Sequence, residues 1–232
     1  MIDLLRKPEK IKDAAMKQPI DNYWQLKLKA VKDALEKNRF EVFIADTAAD
    51  ARDLALKQII PGLDIKTVSW GGSMSFVATG LFHALMDSKD LEIINTFDKS
   101  LSFEEMMETR RRSLLADLFI TGTNALTEAG QLVNLDMIGN RVGAMMWGPK
   151  HVLLIVGRNK LCADLDDAMF RIKNYAAPVN TMNLDKNTPC ASTGVCQDCA
   201  SPDRICNYWT IVEKSFMKHR IKIILVNEDL GF

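Results

Sequence analysis

The sequence has no surplus charge of either sign, thirty Lys and Arg standing against thirty Asp and Glu. A balanced chain sets up no net field toward nucleic acid or an anionic membrane, so neither is an expected partner. The local run Arg110-Arg111-Arg112 reads as the solvated face of a helix. No apolar stretch approaches the length of a membrane span. The opening segment MIDLLRKPEKIKDAA alternates charges and lacks the apolar core of a signal peptide, which makes the cytoplasm the expected compartment. Thiols stay reduced there, so the five cysteines do not form a disulfide framework. Histidine is scarce, and His83, His151 and His219 have no metal-ligand spacing. Neither a Gly-x-Ser-x-Gly elbow nor a His-Glu-x-x-His motif occurs, which removes the simplest hydrolase classes.

What is present is a core. Hydrophobic residues make up 47% of 232 positions, enough for one large domain. Trp24, Leu28, Val31 and Leu35 recur at helical spacing, and FEVFIAD (40–46) then reads as a buried strand. The alternation continues through a helix capped by Thr47 and stopped at Pro61-Gly62, a strand at 65–70 and a helix at 75–86. A strand at 91–95 and a helix at 102–115 follow, the latter with Ser102 and Glu105 in capping-box spacing. Apolar runs at 116–122, 131–136 and 151–157 come next. Then a helix from 164 places Leu165, Ala168, Met169, Ile172 and Ala176 on its inner face. Residues 207–219 read as a helix and 221–227 as the closing strand. Strands apolar on both faces, alternating with amphipathic helices, predict an α/β fold: a Rossmann-like three-layer sandwich around a mostly parallel sheet of six or seven strands. Residues 1–20, with Pro8 and Pro19, read as an N-terminal helical arm that packs on a neighbour in a homo-oligomer. Residues 21–232 read as a single domain without internal repeats.

Ligands of open α/β sheets bind beyond the carboxyl ends of the strands, so the loops there carry the candidate site. In TVSWGGSMSF, Gly71, Gly72 and Ser73 lie between a strand and a helix, an arrangement that cradles an anion or serves as a tight turn with Ser73 as a cap. In ITGTNALTEAGQLVNLD, polar side chains crowd a strand end, among them Thr123, Asn124 and Asn134. The carboxylates of this loop, Glu128 and Asp136, are the candidates for acid–base or nucleophilic chemistry. In IGNRVGAMMWGPK, Gly139 and Asn140 turn the chain into a helix whose first turn holds Arg141. A cation there opposes the helix dipole, which invites an anionic ligand or a local partner such as Asp136. Met145-Met146-Trp147 reads as core or subunit interface.

The stretch PCASTGVCQDCASPDRIC holds four of the five cysteines, Cys190, Cys196, Cys199 and Cys206, spaced C-x5-C-x2-C-x6-C. Four thiolates suit tetrahedral zinc or an iron–sulfur cluster. The central CxxC is a strong chelating element, but the outer spacings match no common ferredoxin or zinc ribbon. Reduced thiols in a packed loop and a redox disulfide are the alternatives. Cys162, after a strand, reads as an ordinary buried thiol.

The run ITGTNALTEAGQLVNLDMIGNRVGAMMWGPKHVLLIVGRNKL, the glycine loop VSWGGSMS and the ending VNEDLGF resemble the LUD-domain family of lactate-utilisation proteins, over roughly residues 20–232. The resemblance implies the fold of the glucosamine-6-phosphate isomerase, ribose-5-phosphate isomerase and CoA-transferase group. It places Gly71, Gly72 and Ser73 at a phosphate-cradle position and Glu128 in a loop that carries carboxylates in several relatives. It further implies action beside iron–sulfur redox partner proteins in oxidising lactate. The cysteine run, an insertion at 187–206, departs from that pattern. Three functions stay open: an accessory or subunit of a system oxidising lactate or a related hydroxy acid, an isomerase- or transferase-like enzyme on a phosphorylated or CoA-linked substrate, and a metal or ligand sensor.

Overall fold

A computed structural model describes residues 13–232. Along the chain run α1 (Asp13–Lys37), β1 (Glu41–Ala45), α2 (Ala48–Leu54), β2 (Thr67–Trp70), α3 (Met74–Ala78), α4 (Leu81–Met86), β3 (Glu92–Ile94), α5 (Phe103–Ser113), β4 (Leu118–Thr121) and β5 (Ala125–Thr127). There follow β6 (Leu132–Asp136), α6 (Asn140–Met146), β7 (His151–Gly157), β8 (Leu161–Cys162), α7 (Leu165–Arg171), α8 (Ala177–Asn183), α9 (Pro189–Thr193), β9 (Tyr208–Val212) and β10 (Ile221–Val226). Six strands form the main sheet in the order β1-β10-β7-β4-β2-β3, every pairing parallel.

The central strands are apolar on both faces because both faces are covered. Leu153 and Ile155 of β7, with Ile224 and Val226 of β10, face a layer containing Trp70, Phe76, Leu81 and Leu85. The alternate residues Val152, Leu154 and Val156, with Ile221, Ile223 and Leu225, face Leu28, Val31 and Leu35 of α1. This two-residue alternation is the pleat of the sheet. Each fully buried aliphatic side chain contributes about 1.5–3 kcal/mol, against at most about 1 kcal/mol for an exposed ion pair. The two apolar layers therefore carry the stability. Local signals place the helices: Thr47 with Asp50 and Ser102 with Glu105 form complete capping boxes at the starts of α2 and α5.

Three features differ from the sequence reading. Residues 207–219 are not helical: Tyr208–Val212 is a strand paired antiparallel with β6. Trp209, Val212 and Phe216 imitate helical spacing, but Tyr-Trp-Thr-Ile-Val is a β-branched and aromatic run that fits a pleated edge. That strand belongs to an unanticipated second sheet, β8-β5-β6-β9, whose short members β5 and β8 are invisible to periodicity. The helix expected over 75–86 is broken at Gly80, whose φ of +76° separates α3 from α4. The arm expected over 1–20 lies outside the described residues as far as residue 12, and residues 13–20 are the first turns of α1. Among the described residues no helix is long and apolar enough to cross a membrane.

Asp117 locks the amino ends of β2 and β4 together. Its carboxylate accepts from the backbone N–H of Lys66 (2.8 Å) and Thr67 (3.0 Å) and pairs with Lys150 (2.7 Å). The Lys150 ammonium and these N–H groups hold its pKa well below the ordinary carboxylate range. Asp117→Ala is expected to cost about 2 kcal/mol in chemical denaturation at pH 7. A depressed folded-state pKa means that this contribution is present above the unfolded pKa, about 4, and is lost as pH falls through the folded value. The gap between wild type and variant should therefore narrow in acid.

Candidate functional site

Three strands of the main sheet end in glycine, and each glycine lets another segment come close. A Cβ on Gly71, just after β2, would stand 2.9 Å from Cγ of Arg141. One on Gly122, just after β4, would meet Ser73 Oγ at 2.7 Å, and one on Gly157 would meet Asn159 Oδ1 and Leu230 N at 2.6 Å. The loops beyond β2, β4 and β7 thus interlock over the carboxyl ends of the sheet. The ending VNEDLGF closes over them: Ser75 Oγ donates to Leu230 O (2.9 Å), Asn159 Nδ2 to Gly231 O (3.1 Å), and Arg158 pairs with Asp229 (3.0 Å).

Arg141 is the hub. Only 8% exposed, it donates through Nε to Asp136 (2.9 Å), through Nη1 to Asn134 Oδ1 (2.8 Å) and Gly122 O (3.1 Å), and through Nη2 to Asn124 Oδ1 (2.9 Å). Asp136 uses its second oxygen to accept from Gly139 N (2.9 Å) at the start of α6. Asn124 and Asn134 also bond across to each other's strand, Asn124 N to Asn134 Oδ1 (3.2 Å) and Leu135 N to Asn124 Oδ1 (3.0 Å). The other end of α6 is held by the Arg220 guanidinium, which donates to the carbonyls of Ala144, Met145 and Pro149. Arg141, Asp136, Asn124, Asn134 and Gly71 are therefore one constellation, and both carboxylate oxygens of Asp136 are engaged within it.

Around this hub stand further buried or half-buried cations. Lys160, 5% exposed, donates to the carbonyl of Thr123 (3.2 Å). Burial, with Arg171 and Arg141 nearby, pulls its pKa down to about 7. Arg171 donates to the carbonyls of Asn124 (2.9 Å) and Asn159 (3.1 Å). Among the described residues neither Lys160 nor Arg171 forms an ion pair. Arg110, read from sequence as part of a solvated run, is instead half-buried and feels the charge of Asp136, whereas Arg111 and Arg112 are exposed as expected. Among the described residues the buried hydroxyl of Thr121 and the indole N–H of Trp70, at the ends of β4 and β2, find no hydrogen-bond partner. Sequence reasoning missed Lys160, Arg171, Gly122 and Gly157. The available signal was Arg158-Asn159-Lys160, three polar residues placed directly after the most apolar strand.

The remaining candidates divide. Thr123 is buried, its hydroxyl donating to Ala125 O (2.9 Å). Asn140 opens α6 and is half-buried. Ser73 caps α3 by accepting from Phe76 N (3.2 Å), and Gly72 is exposed. Glu128 stands apart: its carboxylate is half-exposed and bonded to Lys27, and no hydrogen bond joins it to the Arg141 constellation. In the Met145-Met146-Trp147 run, Met145 is core while Met146 and Trp147 are exposed.

All five cysteines are free thiols. Cys162 is buried, and burial pushes its thiol up to about 11. Cys190, Cys196, Cys199 and Cys206 line one small cavity together with Lys173, Thr181, Thr188 and Arg204. Among the described residues, no three Cys, His, Asp or Glu side chains stand close enough to hold a single metal ion.

A parallel six-stranded sheet covered by helices, with loops interlocked over its carboxyl edge, defines a protein of the α/β class. The LUD domain family matches residues 28–226, and the chain belongs to that family. A crystal structure of a DUF162 family protein from Deinococcus radiodurans is similar to it, with 13% identity, a TM-score of 0.49 and coverage of 88% of this chain and 98% of that one. No match was found among curated proteins.

Removing one partner of a buried ion pair strands the other charge, typically at about 3–5 kcal/mol. Arg141→Ala should therefore lower unfolding stability by about that much, whereas Glu128→Gln should change it by less than about 0.5 kcal/mol. Paired urea titrations check both.

Proposed function

We propose that this LUD-domain protein is an accessory or subunit of a system that oxidises lactate or a related small hydroxy acid, and that it binds the anionic substrate or product at the strand ends beside Lys160. Family membership supplies the setting, in which the protein works with redox partner proteins. The observation that carries the ligand class is the charge around Arg141: four cations, Arg141, Lys160, Arg171 and Arg110, stand against the carboxylate of Asp136 and that of Asp167 near Arg171. An ammonium at 5% exposure whose partner is a carbonyl is a costly arrangement. A bound carboxylate offsets that cost. In this reading the ligand's carboxylate takes the free N–H donors of Lys160 and Arg171, and the Gly71–Ser73 loop, exposed at Gly72, forms the entrance. Asp136, Asn124 and Asn134 act on the ligand through Arg141 as positioning residues.

The proton balance follows from Lys160. Its folded pKa of about 7 lies below the unfolded value, about 10.4. Between these values the unfolded chain holds the proton and the folded one does not, so unliganded stability rises with pH across that window. A bound anion favours the charged form, so binding takes up a proton above about pH 7 and weakens as pH rises.

Isothermal titration with lactate and pyruvate at pH 6 and pH 9 tests this. Wild type should bind more tightly at pH 6. Lys160→Met should bind about tenfold or more weakly, as expected for loss of a charge-assisted contact, and should be the more stable protein at neutral pH. Equal binding by Lys160→Met, with no pH dependence, would contradict the proposal.

A further inference from the structure

The cysteine loop plays no part in the strand-end site, yet its own hydrogen bonds order it. Arg204 spans it, donating to the carbonyls of Cys206 (3.0 Å) and Cys199 and to Asp198 (2.8 Å). Lys173 of the α7–α8 segment reaches across to the same Asp198 carboxylate (3.0 Å). Asn187 N donates to Asp203 (3.0 Å) and Ser201 Oγ to Asn187 O (2.8 Å), closing the base of the loop. Two left-handed residues, Gly194 (φ +71°) and Asp198 (φ +45°), turn the chain on either side of Cys196. The result is convergent: four thiols separated by up to sixteen positions face one cavity, held there by a frame that uses no sulfur–sulfur bond.

We propose that Cys190, Cys196, Cys199 and Cys206 ligate a four-iron, four-sulfide cluster. Three observations support it, the first of them against a single zinc ion. A tetrahedral zinc draws four sulfurs to 2.3 Å from the metal, hence about 3.8 Å from one another, and no three ligands among the described residues stand at single-ion spacing. A cubane binds each sulfur to a different iron, so its ligands stand farther apart around a shared space, as the four cysteines do. Second, such a centre with four thiolates is an anion, and Lys173 and Arg204 line the cavity with one carboxylate, Asp198, between them. Third, Thr188 Oγ1 lies 3.3 Å from Cys190 Sγ, placed to donate to a ligating thiolate. Thr181, 3.5 Å from the same sulfur, gives its hydrogen to Pro178 O (2.7 Å). Hydrogen bonds to ligand sulfur are a standard means of holding and tuning a cluster.

The test is purification of the full chain without oxygen, with iron, zinc and acid-labile sulfide measured on the same sample before and after incubation with ferrous iron and sulfide. The expected result is about four iron and four sulfide per chain and an electron paramagnetic resonance signal on reduction. Cys162→Ser should keep the cluster, and Cys199→Ser should lose at least about half of the iron. Circular dichroism identifies any variant that has failed to fold, in which case Thr188→Val, with an altered resonance or reduction potential, replaces it as the test. One zinc per chain in place of iron, or no metal after reconstitution, would overturn the proposal. Either result leaves lactate and pyruvate binding by the same sample measurable, so failure here is distinguishable from failure at the strand ends.

Discussion

A buried guanidinium must find an acceptor for nearly every N–H it carries, and Arg141 finds them on two separate segments. Its bonds to Gly122, Asn124, Asn134 and Asp136 tie the exit of β4, the whole of β6 and the first turn of α6 into one unit. Much of the surrounding sequence follows from that requirement. Gly71 has no side chain because the stem of Arg141 occupies its place. Asn124 and Asn134 are amides because each must accept from the guanidinium while bonding the neighbouring backbone. Asp136 neutralises the charge, and its second oxygen fixes the turn into α6. A buried pair of this kind is a poor source of net stability and a strong constraint on geometry.

That constraint leaves the site electrically unfinished. The carboxylate of Asp136 is committed to Arg141, so Lys160 and Arg171 are held against backbone carbonyls. Carbonyl dipoles satisfy hydrogen bonds without neutralising charge, and burial therefore drives the ammonium of Lys160 toward its neutral form. The terminal segment, fastened by Asn159 and Arg158, closes over the strand ends. In the function proposed above, a small anion supplies what the protein lacks there. The cysteine loop rests on the opposite logic: four thiols are gathered beside Lys173 and Arg204, and in the cluster proposed for them the thiolates outweigh a positively charged core.

Long-period features were legible in the sequence. The strands of the main sheet could be read because burial on two faces leaves unbroken apolar runs, such as VLLIVG (152–157) and IILV (223–226), and the capped starts of α2 and α5 because Thr47 and Ser102 are followed by acids at the right spacing. The second sheet could not, since β5 has three residues, β8 has two, and β9 carries large side chains at intervals a helix would also use. Of the polar residues crowded after β4, Asn124 and Asn134 are brought together on Arg141, and the pairing of Arg141 with Asp136 was one of the two readings its position allowed. Lys160 escaped because its importance comes from burial, and a lysine after a strand is ordinarily solvated. Glu128 looked equivalent to Asp136 on paper, but the turn after β5 points it outward to Lys27 while β6 carries Asp136 inward.

The central claim is that a buried, carboxylate-free Lys160 awaits an anion. Carbon-13 labelling of the lysine side chains allows its titration to be followed directly by nuclear magnetic resonance in the folded protein, with Lys160→Met assigning the signal. The account predicts a midpoint near 7 in the free protein and a clear upward displacement when lactate or pyruvate is added. A midpoint at the ordinary lysine value of about 10.4, unmoved by either anion, would contradict it.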